Sequence, residues 1–437
     1  MALNKKPYKG CRDFFPSNMR VRDFLFNQMK RTAESFAYEA YDGPLLEEVE
    51  LYKAKSGEEL INDQIYSFTD RGDRFVAVRP EMTPTLARMV ANVHKESSKP
   101  LRWYSIPNLM RYEKPQRGRV REHWQFNVDI FGAPQNLGEI EIITLVVSFL
   151  KSFGADSSMF NLLVNDRHIV DSVFNHLLKL SNEQSYKLYK VIDKSKKVTK
   201  EKLDEMIGEV LSDQNQISIF KNYLELDSFK SALTFLEINN LKEQCAPFIE
   251  FIEILTKTNL EEFVKYDPLI VRGLDYYTGI VFEVFDKHPD NNRAIAGGGA
   301  YANLLQIFNE APLPGIGFGL GDVTLKDFLE THKLLPDLAL ASNDLLVVNI
   351  DDEQNIDNYL LSNELRGLDL KVESYLGKLK FNKIVKIAEN KGFHLVAIIE
   401  VRDDVKTVQI RNLKTKDSRN FQPTEYLEMK KHIKESL

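Results

Sequence analysis

The stretch between residues 102 and 132 carries the residues best suited to chemistry. Two strand-like runs flank the polar turn KPQRGR, which predicts a long antiparallel hairpin. Polar and apolar side chains alternate along the returning strand, so one face of the hairpin is polar and the other is apolar. The polar face carries Arg121, His123, Gln125, Asn127 and Asp129. Periodicity alone fits a ligand-binding sheet surface and a solvent-exposed sheet surface equally well.

The loop of this hairpin is strongly basic. Its cations are Arg111, Lys114, Arg117, Arg119 and Arg121, and Glu113 is the single acid among them. Guanidinium groups bind phosphate oxygens through paired hydrogen bonds, so the cluster predicts a phosphate-binding surface.

Two segments further along the chain place polar residues beside strands. In VRGLDYYTGIVFEVF (271–285), Arg272 and Asp275 precede an apolar strand. In AIAGGGAYANLL (294–305), three glycines are predicted to end the next strand and lead into a helix. These glycines either let a ligand or helix approach the backbone closely or form a tight turn that needs positive φ.

A third segment, FVAVRPEMTPTLARMV (75–90), predicts a strand followed by a helix. Glu81 and Thr83 lie between the two elements. The default expectation is that Thr83 or Thr85 caps the helix, since threonine is common at that position. A threonine cap would not account for the glutamate at position 81, between the strand and the helix.

Changes in composition divide the chain. Residues 1–165 and 263–330 mix helical and strand patterns and are predicted to form one interrupted domain, whereas 166–262 is a helical insertion rich in Leu, Lys and Glu. Residues 342–437 alternate strands with helices, which predicts a small α/β domain for dimerisation or ligand binding.

Composition limits the class of protein. The 437 residues are 43% hydrophobic and 28% charged, which is typical of a globular protein with two or three domains. There is no apolar run of membrane-spanning length, and the start MALNKKPYKG has no apolar stretch of the secretory type, so neither membrane insertion nor secretion is expected. Cys11 and Cys245 have no metal-ligand spacing, so no zinc site is expected and a reducing cytoplasm fits best. The net charge of -6 requires any nucleic-acid contact to be local.

These segments resemble the signatures of one enzyme family. The hairpin resembles motif 2 of the class II aminoacyl-tRNA synthetases, and VRGLDYY with GGGAY resembles two signatures of histidyl-tRNA synthetases. KGCRDFFP, GPLLEEVELY with Pro44, and GIGFGLGD resemble the family's N-terminal segment, motif 1 and start of motif 3, in the family's order. The segment from SYLGKLKF to HLVAIIEV resembles its anticodon-binding domain.

The resemblance implies an α+β fold with a class II synthetase-like antiparallel sheet of six or seven strands flanked by helices. The catalytic domain would comprise 1–165 and 263–330, and 342–437 would bind the anticodon. The implied enzyme is a homodimer formed through motif 1. It would convert histidine and ATP, with Mg²⁺, into histidyl-adenylate and pyrophosphate, and then transfer histidine to the 3′ end of tRNA(His). No membrane partner and no zinc are implied.

The resemblance also implies roles for individual residues. The amino group of histidine would contact Glu81, Thr83 and Gln125, and its imidazole would contact Asp129 and Tyr277, with Tyr276 beside them. ATP would contact Arg111, Glu113 and Arg121, and the catalytic residues would be Arg272 and Arg111. The tRNA acceptor end would contact Gln116, Arg117 and Arg119. Arginines suit this reaction, because one anionic group attacks another and negative charge must be stabilised.

The sequence shows three departures from the family's pattern. Thr324 stands where motif 3 has an ATP-binding arginine, and Ala300 and Ala302 replace charged residues of the GGRYD signature. The imidazole-binding glutamate is Asp129, which is one methylene shorter but is also a hydrogen-bond acceptor.

Two alternatives compete with this interpretation. One is a non-catalytic regulatory subunit of ATP phosphoribosyltransferase, which shares the fold but generally lacks the anticodon-binding domain and an intact VRGLDYY signature. The other is a class I synthetase, suggested only by DKSKK at 193–197. That segment lies in a helical region without an upstream nucleotide-binding fingerprint and is better explained as a solvated helix end.

Overall fold

The structure is a computed structural model, and it describes residues 3–54, 60–271, 277–338, 340, 343–349, 355–378, 381–402 and 405–437. The chain divides into two compact units. The first is Met1–Asp13 with Arg22–Leu335, and the second is Phe14–Val21 with Pro336–Leu437. Arg272 and Tyr276, which have predicted roles in the site, lie outside the described residues.

Strands and helices are mixed along the chain up to residue 335. The strands are β1 (Glu39–Ala40), β2 (Leu46–Glu48), β3 (Tyr66–Thr69), β4 (Phe75–Val78), β5 (Leu101–Ser105), β6 (Asn108–Met110), β7 (Glu122–Phe131), β8 (Phe160–Asp166), β9 (Val264–Tyr266), β10 (Ile280–Asp286), β11 (Ala294–Tyr301) and β12 (Gly315–Gly321). The helices are α1 (Pro16–Ser35), α2 (Val49–Lys53), α3 (Thr83–Val93), α4 (Leu137–Lys151), α5 (Arg167–Ser172), α6 (Asn182–Lys194), α7 (Lys200–Gly208), α8 (Gln214–Leu224), α9 (Phe229–Ile238), α10 (Ala246–Leu255) and α11 (Asp322–Thr331). Short π-helical or 3₁₀ turns occupy Leu60–Gln64, Val173–Leu177, Ser195–Lys197 and Leu304–Phe308.

A large sheet organises the first unit. Among the described residues it has nine strands in the order β1-β5-β7-β12-β11-β10-β8-β9, and β6 also pairs with β7. Neighbouring strands from β5 to β8 in this order are antiparallel, and the edge pairs β1–β5 and β8–β9 are parallel. The predicted α+β class with an antiparallel sheet is confirmed, but the sheet has nine strands within the described residues instead of the expected six or seven, because the short strands β1, β6 and β9 extend it. Strands β2, β4 and β3 form a separate small sheet.

The alternation along β7 lets one strand serve both the core and the polar face. Phe126, Val128 and Ile130 are buried. The ring of Phe126 lies 5.4 Å from that of Phe149 in α4 and 5.6 Å from that of Phe318 in β12. This aromatic packing holds the strand, and residues 125, 127 and 129 are left on the opposite face.

The chain between β8 and β9 is helical, as its composition predicts, and its helices begin at recognisable caps. Ser181 and Gln184 form a reciprocal capping box at the start of α6, with N···O distances of 3.1 and 3.3 Å. Asp213 caps α8 through two backbone N–H groups. These helices belong to the first compact unit. Their interpretation as an insertion domain stays a prediction.

The second unit contains an α/β sheet. Its elements are β13 (Leu345–Asn349), α12 (Asn355–Arg366), β14 (Val372–Lys378), α13 (Phe381–Lys391), β15 (Leu395–Arg402), β16 (Val405–Asn412), β17 (Ser418–Phe421) and α14 (Tyr426–Ser436). The strand order is β14-β13-β15-β16-β17, and β13 is parallel to both of its neighbours. Leu345 clusters with Leu361 and Met429, whereas Leu346 clusters with Ile384. Burial on both faces explains why this strand has no polar alternation.

Candidate active site

The predicted hairpin is formed by β5 and β6 pairing with β7. Trp103 lies opposite Asp129 in this pairing. At the base of the loop, the Arg111 N–H donates to the Arg121 carbonyl at 2.8 Å, and at its tip the backbones of Gln116 and Arg119 exchange two hydrogen bonds of 2.9 Å. Gly118 at the tip has a φ of +70°, which glycine adopts without strain. The loop is therefore closed by backbone hydrogen bonds.

Glycines of β11 and β12 make room for polar side chains of the site. A β-carbon at Gly317 would lie 2.0 Å from Asp129 Oδ1, and one at Gly319 would lie 2.6 Å from Gln125 Cδ. On β11, a β-carbon at Gly299 would lie 2.9 Å from Tyr277 Cδ1. Larger residues at these positions would occupy the space that the site residues fill.

The structure corrects the prediction for the three consecutive glycines. Gly297–Gly299 lie in the middle of β11, which continues to Tyr301 and is followed by a 3₁₀ turn. The glycines with positive φ in the described part of the chain are Gly10, Gly118, Gly132, Gly154 and Gly392. The tight-turn interpretation is therefore wrong. The backbone is closely approached by neighbouring strands and by Tyr277 instead of by a helix, and the approach of a ligand stays a prediction.

Asp129 is buried among tyrosines. Its Oδ1 accepts a hydrogen bond from the Tyr301 hydroxyl, and the ring of Tyr277 lies 6.5 Å from that of Tyr301. Burial raises the pKa of Asp129 to about 7, although the Tyr301 hydrogen bond opposes the shift. A carboxylate has lone pairs for more than one donor, so this group is equipped to accept from a polar ligand.

Tyr301 and Arg79 contact or position candidate site segments and are absent from the sequence predictions. Tyr301 shares a face of β11 with Gly297 and Gly299, and the period-two pattern was the available signal. Buried Arg79 donates from Nη1 to Asp42 at 2.7 Å and to the Gly43 carbonyl at 2.8 Å. Its Nε donates to the Asn108 carbonyl at 2.9 Å. Arg79 therefore holds the segment before Pro44 against β6.

The turn between β4 and α3 contacts the hairpin. Arg111 Nε donates to the Pro80 carbonyl at 2.8 Å, and Pro80 is the residue directly before Glu81. The expected threonine cap is wrong: Met82 is the residue before α3, and no side chain caps this end. Thr85 is buried and donates to Glu47 Oε1 at 3.1 Å, because β2 supplies this acceptor. Glu81 and Thr83 are partly exposed.

The cations of the loop have different environments. Arg119 forms an ion pair with Glu113. Arg121 is 8% exposed and donates to the Glu113 carbonyl at 3.1 Å and to the Tyr8 hydroxyl at 3.0 Å. Its guanidinium carbon lies 3.9 Å from the centre of the Tyr112 ring. Arg121 thus supports the loop from within.

A cavity of about 640 Å³ lies over the polar face of the sheet. Its wall includes the predicted Arg111, Glu113, Arg119 and Gln125. Among the described residues, its wall does not include Glu81, Thr83, Arg121, Asp129 or Tyr277. His123 also lines it. Burial, aided by Arg111 and Arg12, lowers the pKa of His123 to about 3, so this ring is neutral at ordinary pH.

A second cavity, of about 390 Å³, adjoins the loop tip. It is lined by Gln116, Arg117 and Thr324 among others, and Arg117 Nη2 donates to Asn291 Oδ1 at 3.0 Å. The Thr324 hydroxyl lies 3.3 Å from the Gly321 carbonyl and contributes no charge. Within the described ranges, no group of three or more His, Cys, Asp or Glu residues is placed to hold a metal ion.

Comparisons with known proteins show which family the chain resembles. The family profile described as histidyl-tRNA synthetase matches residues 10–324. The histidine–tRNA ligase of Leptospira biflexa is 41% identical over 436 residues, covering 100% of this chain and 98% of its own. That of Thermoplasma volcanium is 36% identical over 409 residues, covering 93% and 94%.

Solved structures share the fold. The histidyl-tRNA synthetase of Nostoc sp. PCC 7120 matches with a TM-score of 0.81 at 21% identity, covering 100% of both chains. A Bacillus halodurans protein described as an ATP phosphoribosyltransferase regulatory subunit/histidyl-tRNA synthetase matches with a TM-score of 0.75 at 21% identity, covering 91% of this chain and 99% of its own.

The matching family profile and the relatives of 36% and 41% identity place the chain among the class II aminoacyl-tRNA synthetases. Full-length relatives named as ligases favour an enzyme over the regulatory alternative. The chain belongs to the histidyl-tRNA synthetase family.

Proposed function

We propose that this chain is a histidine–tRNA ligase that activates histidine with ATP and transfers it to the 3′ end of tRNA(His). The observation that carries the proposal is the buried Asp129, hydrogen-bonded to Tyr301, on the same sheet face as an arginine-lined cavity. One region suits a small polar ring, and the other suits a polyphosphate.

The proposed histidine pocket includes Tyr276, which lies outside the residues that the structure describes, together with residues that it does describe. Asp129 and Tyr277 would specify the imidazole nitrogens, with Tyr276 nearby in sequence. The amino group would contact Glu81, Thr83 and Gln125. A site equipped with these polar partners discriminates against apolar amino acids, because each partner left unsatisfied costs about 1 to 3 kcal/mol.

Adenylate formation would depend on cations. The histidine carboxylate attacks the α-phosphorus of ATP, and the bond to pyrophosphate breaks. Arg111, with Arg272, would stabilise the charge that develops. Glu113 would contact the adenine. Arg121 is packed against Tyr112, which supports a role in shaping the ATP-binding loop beside the proposed phosphate contact. Mg²⁺ would enter with ATP, and the carboxylate of Glu283 in the cavity wall is a suitable oxygen ligand.

Transfer to tRNA would involve both units. The exposed loop-tip residues Gln116 and Arg117, with Arg119, would meet the acceptor end, and 342–437 would bind the anticodon. Base contacts and a few well-placed cations can supply the specificity for the anticodon, so the second unit does not need a large net positive charge.

A homodimer would form through the GPLLEEVELY segment, residues 43–52. Leu45 is 51% exposed and Leu46 is 43% exposed, and Phe68 on the same small sheet is 47% exposed. Such apolar exposure is typical of an interaction surface.

A cytoplasmic location fits the unpaired state of Cys11 and Cys245. None of the helices in the described part of the chain combines the length and apolar composition needed to cross a bilayer.

The test is pyrophosphate exchange with ATP and each of the twenty amino acids. Histidine alone should support rapid exchange, and purified tRNA(His) should then accept it. Exchange with another amino acid, or with none, would refute the proposal.

A further inference from the structure

Arg293 is a cation of the cavity wall that the proposed roles leave unused. It directly precedes β11 and lines both the cavity of about 640 Å³ and that of about 390 Å³. Gly118 and Thr324 are likewise shared by the two walls. Arg293 therefore lies at the boundary between the cavities.

The loop tip holds the stem of Arg293 in place. A β-carbon at Gly118 would lie 2.9 Å from Arg293 Cδ and 3.6 Å from Thr324 Cγ2. The Arg293 side chain thus crosses the Gly118 backbone, with the methyl group of Thr324 nearby. Gly118 permits this approach because it has no side chain.

Neighbouring arginines already have partners. Arg119 pairs with Glu113, Arg117 donates to Asn291, and Arg111 donates to the Pro80 carbonyl. Within the described ranges of the chain, Arg293 has no ion pair or side-chain hydrogen bond. Its guanidinium remains available to an anionic ligand.

The charges of the two walls indicate where that ligand would bind. In the smaller cavity, Arg117 and Arg293 are balanced by Asp290 and Asp327. The larger cavity has an excess of cations over acids. Its cations are Arg111, Arg119, Lys196, Lys197 and Arg293, and its acids are Glu113, Asp193 and Glu283. An anion is therefore favoured in the larger cavity.

We propose that Arg293 binds the β- and γ-phosphates of ATP in the larger cavity and stabilises pyrophosphate as it leaves. The inference rests on the proposed function. When the α-phosphorus bond to the bridging oxygen breaks, negative charge moves to pyrophosphate, and a fixed cation there lowers the barrier. Arg293, directly before β11, supplies the charge that Thr324 does not supply from α11.

The test compares ATP with AMP as ligands of the full-length protein. Calorimetry should show that Arg293→Ala weakens ATP binding by about 10- to 100-fold. AMP lacks the β- and γ-phosphates, so its affinity should change by less than about twofold. In pyrophosphate exchange, KM for ATP should rise while KM for histidine stays near its original value. Arg293→Lys should lose less than Arg293→Ala, since it keeps the charge.

A rescue variant and a control sharpen the test. Adding Thr324→Arg to Arg293→Ala should recover ATP affinity by about tenfold, because position 324 borders the same space. Arg419→Ala, in the second unit, should leave ATP binding unchanged.

Two results would overturn the inference: normal ATP affinity in Arg293→Ala, or equal losses for ATP and AMP, which would indicate a general loop-supporting role. Unmodified protein that binds ATP but does not support exchange with histidine would instead refute the proposed function.

Discussion

The ionisation of Asp129 connects the stability of the fold with the chemistry of the site. Its native pKa is raised to about 7, whereas an unfolded aspartate has a pKa of about 3.9. Between these values the native chain keeps a proton that the unfolded chain has released. The contribution of Asp129 to stability therefore falls as pH rises from about 4 to about 7.

Asp129→Asn should consequently stabilise the protein at high pH. The amide removes the buried charge and still accepts from Tyr301, so the free energy of unfolding at pH 8 should rise by roughly 2 to 4 kcal/mol. Near pH 4 the gain should be much smaller. Denaturant unfolding at the two pH values measures the difference, and an identical gain at both would contradict the assigned pKa.

The same substitution should impair histidine recognition. An amide oriented by Tyr301 is a weaker acceptor for an imidazole N–H, so kcat/KM for histidine in pyrophosphate exchange should fall by about 10- to 100-fold. KM for ATP should change little. Asp322→Asn is a control, because this buried carboxylate pairs with Arg12 at 2.8 Å and its loss should reduce stability rather than affinity for histidine. Unchanged histidine kinetics in Asp129→Asn would place Asp129 outside the pocket.

Strand β12 helps to position the candidate site residues because its glycines leave space for them. Gly317 pairs with Asp129, and Gly319 lies against the side chain of Gln125. The intervening residue, Phe318, faces the core and packs on Phe126. One strand thus provides core packing on one face and space for polar side chains on the other.

Gly317→Ala should damage the site more than the fold. Its methyl group would lie 2.0 Å from Asp129 Oδ1, so Asp129 must move. We expect a loss of about 1 to 3 kcal/mol of stability and at least about a 100-fold loss in kcat/KM for histidine. The control is Gly208→Ala at the end of α7, where a β-carbon meets no atom within 4 Å and activity should persist. Normal exchange in Gly317→Ala would show that the site tolerates a displaced Asp129.

The proposed homodimer can be tested by changing the exposed leucines of residues 43–52. Leu45→Glu with Leu46→Glu would place charges on the proposed apolar surface, and sedimentation should show a shift from dimer to monomer at micromolar concentration. Leu376→Glu, at a leucine that is 87% exposed in the second unit, is the matched control and should remain dimeric. A monomeric unmodified protein with full exchange activity would contradict the proposal.

The two compact units predict a separation of the two reaction steps. A chain ending at Leu335 lacks Pro336–Leu437 and should retain histidine-dependent exchange, whereas transfer to tRNA should fall much further because one of two contact regions is lost. Both activities are measured on the same preparation. Equal aminoacylation by the full and shortened chains would exclude a tRNA-binding role for the second unit, and loss of both activities would show that the units depend on each other.

Local patterns were sufficient for much of the architecture. The alternation in 120–130 identified β7 and its polar face, and the loop composition identified the cation cluster. Helical spacing identified the segment between β8 and β9. These features depend on neighbours a few residues apart, which the order of amino acids specifies directly.

The remaining features depend on pairings between distant segments. Gly297–Gly299 and Gly317 acquire their roles from the registers of β11 and β12 against their neighbours, and the same sheet brings Tyr301 to Asp129, 172 residues away. Thr85 became a partner of Glu47 instead of a helix cap for the same reason. A pattern read along the chain contains no cross-strand distances, so these contacts, and the burial that raises the pKa of Asp129, arise only when the sheet is assembled.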